Sequence, residues 1–300
     1  MIQLTGKTTL ITGAGNGLGF EYAKSMAKLG ATVVVNDLGV APDGTGSDES
    51  TAGLAAAKII ADGGAALANT ADISDADQAK DMIDEAFDQT GHLDVLVCNA
   101  GVLRDRMIFN MTPEEWDFVQ RIHLRGHFLP LHFAAQRWRE NAKKSGEAKP
   151  ASVILTTSRS GLYFSAGQAN YAAAKAGIAA MAVVAARELA PYGVRTNAIA
   201  PRAATRMTEA SFGQIEAKRW SPANVAPMVS FLASDESIDI NGQVFVVGGG
   251  RVEWMRPWAP QGEIDSRGEG LTLDTIAAAR DGLFGGRSTG PADFPAEAWD

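Results

Sequence analysis

Short runs of apolar, β-favouring residues recur along the chain, separated by longer stretches with helical spacing. The runs Thr8–Thr12, Thr32–Asp37, Ala65–Ala68, Asp94–Cys98, Ser152–Thr156, Arg195–Ile199 and Gln243–Val247 predict seven strands. Cores such as Val33-Val34-Val35 and Val95-Leu96-Val97 lack polar alternation, as expected when helices cover both faces of a parallel sheet. Helices are predicted near 17–29, 50–62, 75–89, 113–141, 168–190 and 222–234, with Ser74 and Thr112-Pro113 as starts for the third and fourth. This alternation is that of βαβ units. It predicts one doubly wound α/β domain over residues 1–250 with a mainly parallel seven-stranded sheet.

Two segments break the rhythm. Val40 to Ser50, rich in Gly, Asp and Ser, reads as a surface loop after the second strand. Beyond Gly250 the strand pattern stops, and residues 251–300 carry Pro257, Pro260, Pro291 and Pro295 with Trp254, Trp258 and Trp299. Only 271–284 looks helical there. The stretch reads as a C-terminal tail, either a lid or a subunit contact.

Composition narrows the possibilities. The net charge of -8 argues against a nucleic-acid binder, which needs a basic face. Cys98 is the only cysteine, so neither an internal disulfide nor a thiolate metal cluster can form, and no metal site is expected. The longest apolar run, Ala176 to Ala186, falls short of the roughly 18 to 20 residues a membrane span needs. The N-terminus reads straight into a strand rather than a signal peptide. A cytoplasmic protein without a membrane partner is the expectation.

The candidate chemistry begins at the end of the first strand. Thr12-Gly13-Ala14-Gly15-Asn16-Gly17-Leu18-Gly19 opens a helix, where glycines let the backbone approach a pyrophosphate and unpaired N–H groups face it. Asp37 ends the second strand, placed to accept from an adenosine ribose and to repel a 2′-phosphate. Strand, loop, helix and acid in this order predict a Rossmann-type dinucleotide site that prefers NAD to NADP. A loop cap is the other reading of Asp37.

Further along, Tyr171 and Lys175 stand four residues apart on one helical face. A phenol near its ordinary pKa of about 10 is a poor base at neutral pH, and an ammonium beside it favours the phenolate. Taken alone, such a pair is also an ordinary surface contact.

Together, Thr12-Gly13-x-x-x-Gly17-x-Gly19, Asn99-Ala100-Gly101, Ser158 and Tyr171-x-x-x-Lys175 resemble the short-chain dehydrogenase/reductase family over about residues 5 to 250. The resemblance implies that Ser158, thirteen residues before Tyr171, hydrogen-bonds the substrate oxygen while Tyr171 exchanges its proton. It implies that Lys175 binds the nicotinamide ribose and lowers the tyrosine pKa. Asn16, Gly17 and Leu18 belong to the implied cofactor loop. Asp72-Ile73 matches the adenine-contacting pair, Asn99-Ala100-Gly101 the nucleotide side, and Pro201 with Thr205 the nicotinamide side. Ser160, two residues past Ser158, is a rival with the wrong spacing.

There are two departures from the family pattern. His123 stands where the family has a relay asparagine, and either a modified relay or a purely structural histidine follows. Pro201-Arg202 replaces Pro-Gly, implying a different loop shape.

Val35-Asn36-Asp37-Leu38-Gly39, Asn99 to Arg106, His123-Leu124-Arg125-Gly126, Gly167 to Tyr171 and Arg206-Met207-Thr208 are similar to the (3R)-hydroxyacyl-CoA dehydrogenase part of the peroxisomal multifunctional β-oxidation enzymes. That subfamily also carries the histidine. The implied reaction is NAD-dependent oxidation of a 3-hydroxyacyl-CoA to its 3-oxoacyl-CoA. Arg104, Arg106, Arg202 and Arg206 are candidates for coenzyme A phosphates, or else for subunit contacts, with Arg104-Asp105-Arg106 able to neutralise itself. Two rivals stand beside this reading: a hydroxysteroid or other bulky secondary-alcohol dehydrogenase, and an NAD-binding sensor without turnover. The resemblance further implies a homodimer or homotetramer.

Overall fold

The computed structural model describes residues 2–205, 218–256, 258–266, 268 and 270–291. Seven of its strands lie where the apolar runs fall: β1 (Thr8–Thr12), β2 (Thr32–Asn36), β3 (Ala65–Asn69), β4 (Val95–Cys98), β5 (Ala151–Thr156), β6 (Val194–Arg202) and β7 (Val244–Gly248). They align in the order β3-β2-β1-β4-β5-β6-β7, and all six neighbouring pairs are parallel. The helices are α1 (Gly17–Lys28), α2 (Ser50–Ala61), α3 (Ala76–Thr90), α4 (Pro113–Gln120), α5 (Gly126–Ser145), α6 (Arg159–Tyr163), α7 (Ala169–Leu189) and α8 (Ala226–Ala233). Contacts of α1 with α2 and α8 form one layer, and those of α3 with α5 and α5 with α7 form the other. The doubly wound Rossmann-type architecture follows from this arrangement.

The core between the sheet and the α1/α8 layer contains Ile11, Val33, Val35, Val97, Ile154 and Ile199 against Tyr22, Met26, Val229 and Leu232. Each aliphatic side chain buried there contributes roughly 1.5–3 kcal/mol relative to exposure.

The sheet has an eighth strand, β8 (Arg251–Met255), so the strand pattern does not stop at Gly250. Gly249 and Gly250 both take positive φ, 54° and 79°, as a type I′ hairpin requires, and a two-residue link joins only antiparallel neighbours. The chain divides into two compact units, Met1–Trp254 and Met255–Asp300. Within the second, α9 (Leu273–Phe284) starts from a Thr272 capping box.

Other boundaries also differ from expectation. Asp75, not Ser74, caps α3, accepting from the Gln78 N–H. Thr112 caps α4 as expected, with Glu115 completing a capping box. The single long helix expected over 113–141 is broken by a π-turn at Arg121–Arg125. By length and composition the helical stretch Ala169–Tyr192 could cross a membrane, a longer apolar helix than the Ala176 to Ala186 run suggested. In this fold it packs on β5 and β6 and carries the buried polar residues Asn170 and Lys175.

Candidate active site

Strand order reverses direction at the β1–β4 junction, where open α/β sheets leave a crevice beyond the carboxyl ends of the strands. The glycine loop lies there. Gly13 takes φ +64°, and a Cβ on it would lie 2.7 Å from Ala100 Cα. A Cβ on Gly19 would overlap the Gly13 carbonyl and come within 2.8 Å of Asn99 Nδ2. The Asn99 amide donates to the carbonyls of Thr12 and Gly13, each at 3.2 Å, and the Asn99 and Ala100 N–H groups both point to Thr12 Oγ1. Asn99, Ala100 and Gly101 therefore shape the loop from behind.

Asn16 is the N-cap of α1 but makes no side-chain cap, so the N–H groups around Leu18 are left to an outside acceptor. Asp37 accepts from Gly15 N at 2.8 Å through one oxygen and from Gly39 N at 2.7 Å through the other. Each carboxylate oxygen keeps a lone pair for a ribose hydroxyl. Thr205 faces Gly17 across the crevice, 3.8 Å from where its Cβ would stand. These residues fit a dinucleotide. Asp72 is occupied in a local turn, accepting from Ser74 N and Oγ, and Ile73 is buried against Gly126. Pro201 belongs to β6, in register with Val247, so the loop begins only after Arg202.

The second cluster sits at the ends of β5 and α7. Ser158 is the N-cap of α6, its Oγ accepting from Ser160 N. Gly161 lets α6 abut α7, since a Cβ there would lie 2.7 Å from Lys175 Cβ. Lys175 is buried; its Nζ donates to Thr156 O at 2.6 Å, and its own carbonyl accepts from Thr157 Oγ1 at 2.6 Å. Nζ lies 5.6 Å from the centre of the Tyr171 ring.

Proton affinities depart from the expected pattern. Burial pushes the Tyr171 phenol up to about 12, opposed by a hydrogen bond from Ser158 and reinforced by the Asp105 charge. Burial also pulls Lys175 down to about 7. Each group is driven toward its neutral form, so in this geometry the lysine does not draw the phenol down.

His123 sits on the π-turn, a local widening common at functional sites. Its ring is buried edge-on to Tyr171, 5.0 Å between centroids and 87° between planes. Nε2 lies 2.7 Å from Val102 O and 3.1 Å from Val102 N. Donation to the carbonyl is the shorter contact and leaves Nδ1 as the basic nitrogen, buried and without a hydrogen-bond partner among the described residues. Burial and the nearby Lys175 hold the ring well below the usual histidine range, so it is neutral. His127, one turn on, stacks 6.5 Å away and is neutral for the same reasons. Gly101 makes room for His123, whose Cε1 a Cβ would overlap.

Several contributors were not legible from the sequence. Buried Asn170 donates to the carbonyls of Arg104 and Glu115 and accepts from Tyr171 N, tying the start of α7 to the loop after β4. His127 and Gly161 offered no signal beyond helical spacing. The arginine candidates are dispersed: Arg104 lies over Phe118 at 5.3 Å, Arg106 pairs with Glu115 at 3.4 Å, and Arg202 stacks over Trp220 at 4.2 Å. Arg206, Met207 and Thr208 lie outside the described residues. Asp105 is not neutralised by its flanking arginines; its carboxylate accepts from Gln168. Among the described residues no group of three metal-ligating side chains gathers.

Residues 7–215 match the family model described as short chain dehydrogenase. The chain is 43% identical over 292 residues to a hydroxyacyl-CoA dehydrogenase, ChsB1, of Mycobacterium tuberculosis, covering 95% of this chain and 90% of that one. It is 38% identical over 258 residues to the mouse peroxisomal multifunctional enzyme type 2, covering 85% of this chain and 34% of that protein. A crystal structure of a short chain dehydrogenase from Mycobacterium avium superimposes with a TM-score of 0.84 at 41% identity, over 96% of this chain and 98% of the other.

Proposed function

The chain belongs to the short-chain dehydrogenase family, and from that membership we propose that it oxidises a 3-hydroxyacyl-CoA to the 3-oxoacyl-CoA with NAD. It is an oxidoreductase that interconverts a secondary alcohol and a ketone with a nicotinamide dinucleotide. The observation that carries the reading is the convergence of Ser158, Tyr171 and Lys175 between the carboxyl end of β5 and the first turns of α7.

When bound, the dinucleotide supplies the hydride acceptor. The protein's part is to orient the alcohol and manage its proton. Ser158 Oγ accepts from the Ser160 N–H and gives its own hydrogen to Tyr171, a partner it exchanges for the substrate oxygen when the alcohol binds. Tyr171 takes up the hydroxyl proton. Because burial makes the neutral phenol the resting form, the phenolate needs local positive charge, which Lys175 provides when it carries its proton. A lysine with a pKa near 7 gains and loses that proton easily at operating pH, as acid/base work requires. His123 is too weak a base to hold a proton at rest, so it serves as a wall for the phenol and an acceptor through Nδ1.

The preference for NAD rests on Asp37, whose charge faces the glycine loop and opposes a 2′-phosphate. The acyl-CoA preference rests on the hydroxyacyl-CoA dehydrogenase among the relatives. The test is reduced-cofactor formation with NAD and NADP against panels of 3-hydroxyacyl-CoAs and hydroxysteroids. Turnover confined to NAD and hydroxyacyl-CoAs is expected. Selective turnover of free hydroxysteroids would replace the substrate assignment, and tight NAD binding without turnover of any alcohol would make the protein a sensor.

A further inference from the structure

The loop after β4 and the segment leading to Tyr171 are joined, with Arg106 N donating to Gly167 O at 2.9 Å. A chain of polar side chains runs across this joint. Gln168 Nε2 donates to Asp105 Oδ2 at 2.8 Å, and Ser160 Oγ donates to Gln168 Oε1 at 2.6 Å. Ser160 Oγ accepts in turn from Ser165 Oγ at 3.1 Å, and the Ser160 N–H donates to Ser158 Oγ at 3.2 Å.

The direction of this chain follows from its first member. A carboxylate only accepts, so Gln168 must turn its NH2 toward Asp105, which leaves its carbonyl for the Ser160 proton. Ser160 is thereby held at the start of α6, where its N–H occupies a lone pair of Ser158 and directs the Ser158 hydrogen toward Tyr171. The neighbouring arginines do not compete for the carboxylate, because Arg106 pairs with Glu115 and Arg104 lies over Phe118.

We propose that Asp105 and Gln168 are positioning residues for the Ser158–Tyr171 pair, acting through Ser160 and the first turn of α6. The assignment rests on the reading that Ser158 and Tyr171 serve the alcohol. It gives Ser160 a place in the site as a support for Ser158, not as a substitute. The negative charge of Asp105 adds a second effect, since it is among the groups that hold the Tyr171 phenol up.

The experiment uses the full chain with Asp105→Ala, Gln168→Leu, the double variant and Asp105→Asn. It measures kcat, KM for NAD and the pH profile of kcat/KM. Each single truncation is expected to lower kcat about tenfold, the loss of one to two hydrogen bonds, with KM for NAD within about twofold of wild type. The double variant should lose no more than the worse single one, because both cut the same chain. Asp105→Asn keeps the volume and one acceptor but not the fixed direction. It should fall between wild type and Asp105→Ala in kcat, and the acid limb of its profile should move to lower pH as the phenol loses a negative neighbour. Losses that multiply in the double variant overturn the proposal. So do wild-type kcat in both single truncations or an unmoved acid limb in Asp105→Asn. Near-normal turnover in Tyr171→Phe would instead sink the underlying reading of the site, so the two failures are distinguishable.

Discussion

Replacing Lys175 by methionine should make the protein more stable and inactive. The side chain is buried, and burial lowers its pKa from 10.5 to about 7. A shift of that size corresponds to about 4–5 kcal/mol of penalty on the charged form, at roughly 1.4 kcal/mol per unit. Above the unfolded value of 10.5 the lysine is neutral in both states and the penalty vanishes. As pH falls toward 7 the unfolded chain takes up the proton first, and stability drops until the full penalty applies below the folded pKa.

At pH 9 the penalty is therefore about 2 kcal/mol and at pH 7 about 4 kcal/mol. The hydrogen bond from Nζ to Thr156 O offsets about 1 kcal/mol of this. Lys175→Met keeps a similar volume and is expected to gain about 2–3 kcal/mol at pH 7, shrinking by about 2 kcal/mol by pH 9. Urea unfolding of both proteins at pH 6, 7, 8 and 9 measures the difference, in which titrations common to both cancel. A variant less stable than wild type at pH 7, or a difference that does not change with pH, would refute the reasoning. Turnover should fall by orders of magnitude in the same variant, a cost of keeping a strained group at a working site.

Three further outcomes are expected. Gly19→Ala places a Cβ onto the Gly13 carbonyl and should weaken NAD binding at least tenfold by forcing the loop open, measured by calorimetric titration. Asp37→Ala removes the charge opposing a 2′-phosphate and should raise the NADP-to-NAD ratio of kcat/KM by about tenfold or more, read from initial rates with each cofactor. Arg202→Ala should raise KM for an acyl-CoA about tenfold while leaving a short hydroxy ester nearly unaffected, whereas equal effects would exclude a phosphate role.

Much of this fold is legible in the chain because buried parallel strands are nearly pure apolar runs. Residues 8–12 and 32–36 fall where Thr-Thr-Leu-Ile-Thr and Thr-Val-Val-Val-Asn mark them. The strand β8 is harder to read, since Arg251 and Glu253 interrupt its apolar positions, although Gly249-Gly250 is a hairpin signal in the sequence. The π-turn around His123 has no pattern of its own, because helical periodicity runs across it uninterrupted.

The candidate site divides in the same way. The spacings of the glycines, Asp37, Ser158, Tyr171 and Lys175 are linear facts. The affinity of Tyr171 and Lys175 for protons depends on how deeply the fold buries them, which spacing does not encode. The Asp105–Gln168–Ser160 chain joins residues up to 63 positions apart and appears only once the loop after β4 meets the segment that leads into α7.

The measurement that bears most directly on the account is NADH formation from a 3-hydroxyacyl-CoA by wild type and by Tyr171→Phe, with NAD affinity determined for both. The variant keeps the ring packed against His123 and removes only the oxygen. Unchanged NAD affinity with turnover reduced by a factor on the order of a thousand is the predicted result, the usual scale of a lost acid/base. Near-normal turnover by Tyr171→Phe would contradict the central claim.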